Sequence, residues 1–320
     1  MAIYAGIAAA LMIAFILVDS LLVWRYATNI DRFLGVTKDD FSNASEELIA
    51  GDRLVTEIQR DSIVMFKNEN NALPIAAGSK INVFGYGSSD EGFLLRGIGS
   101  GSSTISGQKA ITFLEALEGK VRDYDRVNLA EPDKYGKYDD DGEFTVTDRA
   151  GLDADLAAWA SENLVKYEVN PEIKELYAGH SRPSNYGLWE PTINTDFRNK
   201  VAAAADFSQT ALFVLTRNGG ENIGEIPADY LELSSAEKSA LQLVRDTFDK
   251  VIVILNTANT MHLGFLEEMN IDACIYVGLT GQSGARAIPE VLSGKVNPSG
   301  KFTDIVTKSN AVVQKFDPTW

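Results

Sequence analysis

The sequence predicts an α/β fold: a mostly parallel sheet sandwiched by helices, preceded by an N-terminal transmembrane helix. Two observations point to the sheet. Residues 212–215 (Leu-Phe-Val-Leu), 251–255 (Val-Ile-Val-Ile-Leu) and 271–277 (Ile-Asp-Ala-Cys-Ile-Tyr-Val) are nearly unbroken apolar runs, the signature of strands covered on both faces. Helix signals separate them. Ser234-Ser235-Ala236-Glu237 opens one helix after the first run, and a second helix ends near Leu292 after the last. Strands that alternate with helices in this way pair in parallel through crossover connections, so the three runs are expected to be neighbours.

The N-terminus supplies the third element. Residues 2–18 carry no charge; Asp19 and Ser20 interrupt, Leu21-Leu22-Val23 resumes, and Trp24-Arg25 closes the run. A bilayer-spanning helix needs about 20 apolar residues, and a Trp-Arg pair suits the interface. Residues 1–26 are therefore expected to be a membrane anchor, with contact through residues 2–24. The segment has no polar face for an amphipathic surface helix, and it lacks the basic start and small-residue cleavage site of a signal peptide. Arg25, Arg32 and Lys38 follow it, a weak bias toward a cytoplasmic body.

Residues 27–60 read as a linker and a helix. Asn43 and Glu46 form a plausible capping pair, and Leu48, Val55 and Ile58 share one face. A sandwich domain is expected over residues 61–308. Residues 62–68 are strand-like, Asn70 to Ile75 turns the chain, and residues 81–84 form a second strand that ends in Gly85-Tyr86-Gly87. That glycine pair does not make a dinucleotide site, because Asp90 stands where the third glycine belongs. No Gly-Lys-Ser/Thr occurs anywhere, so no nucleotide cofactor is expected. Residues 122–155 are acidic and poor in aliphatics and read as a solvated insertion. Lys137 occupies the first-ligand position of the only calcium-loop-like run, Asp139-Asp140-Asp141. A helix is expected over residues 152–164 and a helical turn over residues 171–177. The loop over residues 179–191 mixes His180, Arg182, Tyr186 and Trp189, which suits either a sugar site or packing beneath the loop.

The charge and residue inventory excludes several classes. With 29 Lys+Arg against 45 Asp+Glu the chain carries −16, which argues against nucleic acid as a partner. Cys274 is the only cysteine, so no internal disulfide forms. His180 and His262 are too few and too far apart for a metal site, and neither sits beside a recognisable nucleophile.

The chemistry-bearing stretch is residues 211–232, which follows the first core strand. Loops at the carboxyl ends of parallel strands are where ligands sit. This one offers Arg217, Gly219, Gly220 and two carboxylates, Glu221 and Glu225. A glutamate on such a loop suits general acid work, because its surroundings can raise its pKa.

Four stretches, in order, carry a resemblance: Asp61 to Ile75, Gly99-Ser100-Gly101 after the second strand, Arg217 to Leu233, and Gly281-Gln282-Ser283-Gly284-Ala285-Arg286-Ala287 with Leu292 to Lys301. Together they resemble the C-terminal α/β-sandwich domain of glycoside hydrolase family 3, the β-glucosidase-like enzymes. The resemblance implies an acid/base glutamate on the loop after the first core strand, with Glu221 at that position and Glu225 as a second candidate. It implies Arg217, Gly99, Ser100 and Gly101 as substrate-binding residues. In the family the nucleophile is an aspartate on a separate TIM-like barrel, and 320 residues leave no room for one beside this domain. The chain thus resembles the front part of an inverted-order, membrane-anchored member, with residues 309–320 beginning a linker and the barrel supplied in cis or in trans. The implied substrate is a β-linked glucoside or xyloside, and polymeric substrates favour an extracellular domain on a single-pass anchor. The alternative is a membrane-tethered, non-catalytic module that binds carbohydrate or protein.

Overall fold

The computed structural model describes residues 2–33, 45–98, 110–138, 144–181, 188–219, 228–309 and 311. The strands are β1 (Val64–Asn68), β2 (Lys80–Phe84), β3 (Gly136–Tyr138), β4 (Phe144–Val146), β5 (Glu168–Val169), β6 (Thr210–Arg217), β7 (Lys250–Thr257) and β8 (Ala273–Tyr276). The helices are α1 (Ala2–Phe33), α2 (Ser45–Ser62), α3 (Phe113–Glu118), α4 (Arg149–Asn163), α5 (Pro171–Glu175), α6 (Thr195–Phe207), α7 (Ser235–Thr247), α8 (Phe265–Glu268) and α9 (Ala287–Leu292). Two compact units emerge: Met1–Leu48 with Asp133–Arg149, and Ile49–Pro132 with Ala150–Trp320.

In the first unit, α1 is a helix of 32 residues, and residues 12–23 are exposed without a break. Among the described residues no helix is long and apolar enough to cross a membrane, so the expected transmembrane helix is not supported. The same unit holds the antiparallel hairpin β3–β4, in which Tyr138 opposes Phe144 with ring centroids 5.1 Å apart.

The second unit is built on a six-stranded sheet of order β1-β8-β7-β6-β2-β5. Every pairing is parallel except the β1–β8 edge. The three apolar runs are the adjacent strands β6, β7 and β8, with Leu212 beside Ile252 and Ile252 beside Ala273. Period-two alternation divides their side chains between two cores. Val83, Leu212, Val214, Ile252, Ile254 and Ile275 pack with α3 and α9. Phe84, Phe213, Leu215, Val253, Leu255 and Cys274 pack with α5, α6, α7 and α8.

Local polar contacts explain the turn after β1. Asn68 brackets Leu73, donating Nδ2 to its carbonyl and accepting its amide at 3.1 and 3.0 Å. Asn70 and Asn71 take φ of 55 and 53°, a left-handed conformation that asparagine tolerates. Buried Asn82 similarly pins the end of α6, donating to the Ala204 and Ser208 carbonyls.

Two expectations are corrected. On α2, Ile58 is 57% exposed, while Asp52 and Gln59 are buried. The inner face is held by hydrogen bonds as well as apolar contact, since Gln59 donates to the Val277 carbonyl at 2.7 Å. The acidic stretch near residues 122–155 is not simply solvated: Asp125, Arg126, Val127, Leu129 and Tyr135 are buried. Asp125 pairs with Arg286 at 2.6 Å, which answers its burial.

Candidate active site

At the carboxyl edge of the sheet, β6 ends on Arg217, which has no solvent exposure. Its five donors are all spent. Nε donates to the Tyr230 carbonyl, Nη1 to the Thr216 carbonyl and Glu237, and Nη2 to the Glu232 carbonyl and Glu237. Glu237 also closes the capping box of α7, accepting the Ser234 amide at 2.8 Å while Ser234 Oγ accepts the Glu237 amide at 3.2 Å. One carboxylate therefore locks the end of a strand to the start of the next helix. Arg217 was expected to bind substrate; with no donor left it is a structural clamp.

The clamp fixes both ends of the loop that follows. Asn218 donates its amide to the Tyr230 hydroxyl at 2.7 Å, and the Arg217 guanidinium lies 5.3 Å from the Tyr230 ring centroid. The chain thus leaves the sheet and returns at one tied point. Glu221 and Glu225 lie between these ends, outside the described residues, as do Gly99, Ser100 and Gly101. Their flanks meet: the Ile98 amide donates to the Gly219 carbonyl at 2.9 Å. That approach requires small residues, because a Cβ on Gly97 would fall 2.8 Å from the Gly219 oxygen. The described residues that precede the two candidate segments thus lie side by side.

Neighbouring strand ends are equally fixed. Asn256, buried at the end of β7, exchanges both amide hydrogen bonds with Leu94 and donates to the Gly278 carbonyl at 2.6 Å. Gly85, at the end of β2, has φ of 86°, and a Cβ there would meet the Val214 oxygen at 2.5 Å. The next residue, Tyr86, donates its amide to Glu190 at 2.8 Å.

Glu190 was not anticipated from sequence. It is 9% exposed, and burial pushes its pKa well above the usual carboxylate range. The Tyr86 amide opposes that shift and the nearby Glu237 charge adds to it. Its neighbour Trp189 stacks on His180 with centroids 4.2 Å apart and meets Tyr86 edge-on at 5.3 Å. The aromatic loop therefore packs on the scaffold through these residues, while Arg182 and Tyr186 lie outside the described residues. A glutamate inside an aromatic loop was the one available signal.

Among the described residues no group of three or more His, Cys, Asp or Glu side chains is arranged to hold a metal ion. Burial also pushes the Cys274 thiol pKa far upward, which leaves it unreactive.

Comparison with known proteins gives a consistent picture. The sequence profile of the glycosyl hydrolase family 3 C-terminal domain matches residues 63–318. A beta-glucosidase of Ruminococcus albus is 36% identical over 148 residues, which cover 43% of this chain and 16% of that protein. The probable beta-glucosidase D of Emericella nidulans is 23% identical over 265 residues, covering 81% of this chain and 28% of that protein. Among solved structures, beta-glucosidase 3B from Thermotoga neapolitana in complex with glucose matches at a TM-score of 0.57 and 22% identity, covering 83% of this chain and 32% of its own. A beta-glucosidase from Paenibacillus barengoltzii matches at a TM-score of 0.55 and 23% identity, covering 81% and 24%. The chain spans 16 and 28% of the length of the two curated relatives.

Proposed function

This chain belongs to the family of glycosyl hydrolase family 3 C-terminal domains, and on that footing we propose that it is the acid/base-bearing domain of a retaining exo-β-glycosidase of β-glucosidase or β-xylosidase type. The observation that carries the reading is the tied loop after β6, whose ends are held by Arg217, Asn218 and Tyr230. A rigid scaffold under a short loop is what an acid/base group needs, because catalysis depends on its position within a fraction of an ångström.

Glu221 protonates the leaving glycosidic oxygen and then, as a carboxylate, takes a proton from the attacking water. The nucleophile comes from a TIM-like barrel in cis or in trans, placed about 5–5.5 Å from the acid/base carboxyl as a retaining mechanism requires. The beta-glucosidase relatives support a β-linked glucoside as substrate. Tethering to a membrane through α1, with the sandwich outside the cell, rests on the apolar residues exposed along it, such as Phe15, Ile16 and Leu17. Protease shaving of intact cells removes the sandwich if this placement holds and leaves it intact if it does not.

Aryl β-glucoside hydrolysis tests the catalytic reading. The chain alone should be inactive, and a barrel domain from a related enzyme should restore turnover. Glu221→Gln should then cost about a hundred- to ten-thousand-fold, less for good leaving groups, with azide restoring part of the rate. Glu225→Gln should cost less. Azide rescue of Glu225→Gln in place of Glu221→Gln moves the acid/base role to Glu225. Robust turnover by the chain alone refutes the division of labour, and inactivity with every barrel favours a non-catalytic binding module.

A further inference from the structure

A second concave site lies on the sandwich. Residues of α2, the end of α4 and the start of α9 enclose a small cleft of about 180 Å³, below the usual range for drug-sized ligands and suited to one no larger than a single sugar ring with its charged group. Its charge is unlike that of the rest of the chain. In a protein of net charge −16, four cations line it: Arg53, Arg60, Arg286 and Lys295. Glu290 is shared between two of them, taking two bonds from Arg60 at 2.5 and 3.0 Å and lying 3.1 Å from Lys295. Arg53 donates only to the Val127 and Leu129 carbonyls, with no carboxylate partner among the described residues.

Arg286 is the decisive residue. It is 6% exposed, and Nη2 holds Asp125 at 2.6 Å. Its Nε and Nη1 are buried with no hydrogen-bond partner among the described residues. Buried guanidinium donors are normally satisfied, and leaving them unmade is costly. Its Cζ lies 5.8 Å from the Trp159 ring centroid, so a cation and an indole wall stand together in the cleft. The turn Gly284–Arg286 that carries it packs against Gln59, where a Cβ on Gly284 would be 3.1 Å from the Gln59 Cβ.

We propose that this cleft binds a monosaccharide-sized organic anion, a phosphate ester or a carboxylate. The oxyanion lies against the guanidinium groups of Arg286 and Arg53, whose forked donors match it. The ring of the ligand covers Trp159, and Lys295 closes the rim. The site is separate from the loop after β6, and its occupancy is measured without a barrel or turnover, so it stands or falls independently of the glycosidase reading.

Calorimetric titration of the full chain with glucose 6-phosphate, glucuronate, inorganic phosphate and glucose tests it. Glucose 6-phosphate or glucuronate should bind at least about tenfold more tightly than glucose, the worth of one charge-assisted contact, and added salt should weaken the binding. The tighter of the two identifies the oxyanion. Arg53→Gln and Lys295→Gln alter exposed cations and should weaken binding severalfold while the chain stays folded at the temperature of the titration. Trp159→Phe should lower affinity for the sugar anions more than for inorganic phosphate. No binding by any anion at millimolar concentration, equal binding of glucose, or affinity untouched by the Arg53 and Lys295 changes would each overturn the proposal.

Discussion

Arg217 and Glu237 meet in a two-pronged ion pair at 2.8 and 2.9 Å, with side-chain exposures of 0 and 6%. Breaking one side of such a pair leaves a charge buried without its partner, at a cost of about 3–5 kcal/mol. Arg217→Met and Glu237→Gln should each lose stability in that range in urea unfolding. The double change Arg217→Met with Glu237→Leu should lose less than the sum, because it leaves no orphaned charge. A fully additive result would show that the two residues act separately.

Glu190 should make the fold sensitive to alkali. Its folded pKa is raised, chiefly by burial. Its contribution is therefore complete below the ordinary carboxylate range and declines as pH rises toward the folded value. Glu190→Gln keeps the acceptor for the Tyr86 amide and removes the titration. The variant should lose less stability between pH 5 and 8 than the parent, read as unfolding free energy against pH.

Glu115 works in the opposite direction. Burial alone would raise its pKa, but Arg122, Lys120 and the Thr112 amide outweigh it and hold the value at about 2. Its contribution is present above the ordinary glutamate range and is lost as pH falls toward 2. Glu115→Gln should flatten the acid limb of the stability profile below about pH 4.5. An unchanged limb would assign acid unfolding to other carboxylates.

Gly97→Ala tests the contact between the two candidate segments. The new Cβ would lie 2.8 Å from the Gly219 carbonyl oxygen, so one segment must move. Overpacking of this kind costs about 1–3 kcal/mol. Chemical shifts of residues flanking Gly219 should change in the variant. With a barrel supplied, turnover should fall further than the melting temperature implies.

The scaffold was largely legible in the sequence, and the site was legible only as a segment. Long apolar runs identify β6, β7 and β8 because double-sided burial leaves no polar position to blur them. Ser234 and Glu237 announce α7 because a capping box is local. Two-residue β5 and six-residue α3 are too short to show a period. The roles of Arg217, Gln59 and Glu190 were hidden for a different reason. Each is decided by a partner far along the chain, Glu237, Val277 and Tyr86 in turn, and a polar residue bonded at a distance looks like a surface residue until the chain is folded. The same holds for α2, whose inner face reads as polar and whose Leu54 and Ile58 face outward at 51 and 57% exposure.

The bond between the Asn218 amide and the Tyr230 hydroxyl makes the intervening segment an exchangeable cassette. With its two ends anchored, the loop's length and composition are decoupled from the strand and helix on either side, and each doubling of length costs only about 0.6 kcal/mol in closure entropy. Insertions or grafts between residues 219 and 229 should therefore leave the melting temperature nearly constant while moving whatever carboxylate the cassette carries. A scaffold of this kind can exchange its loop while the sheet beneath it stays untouched.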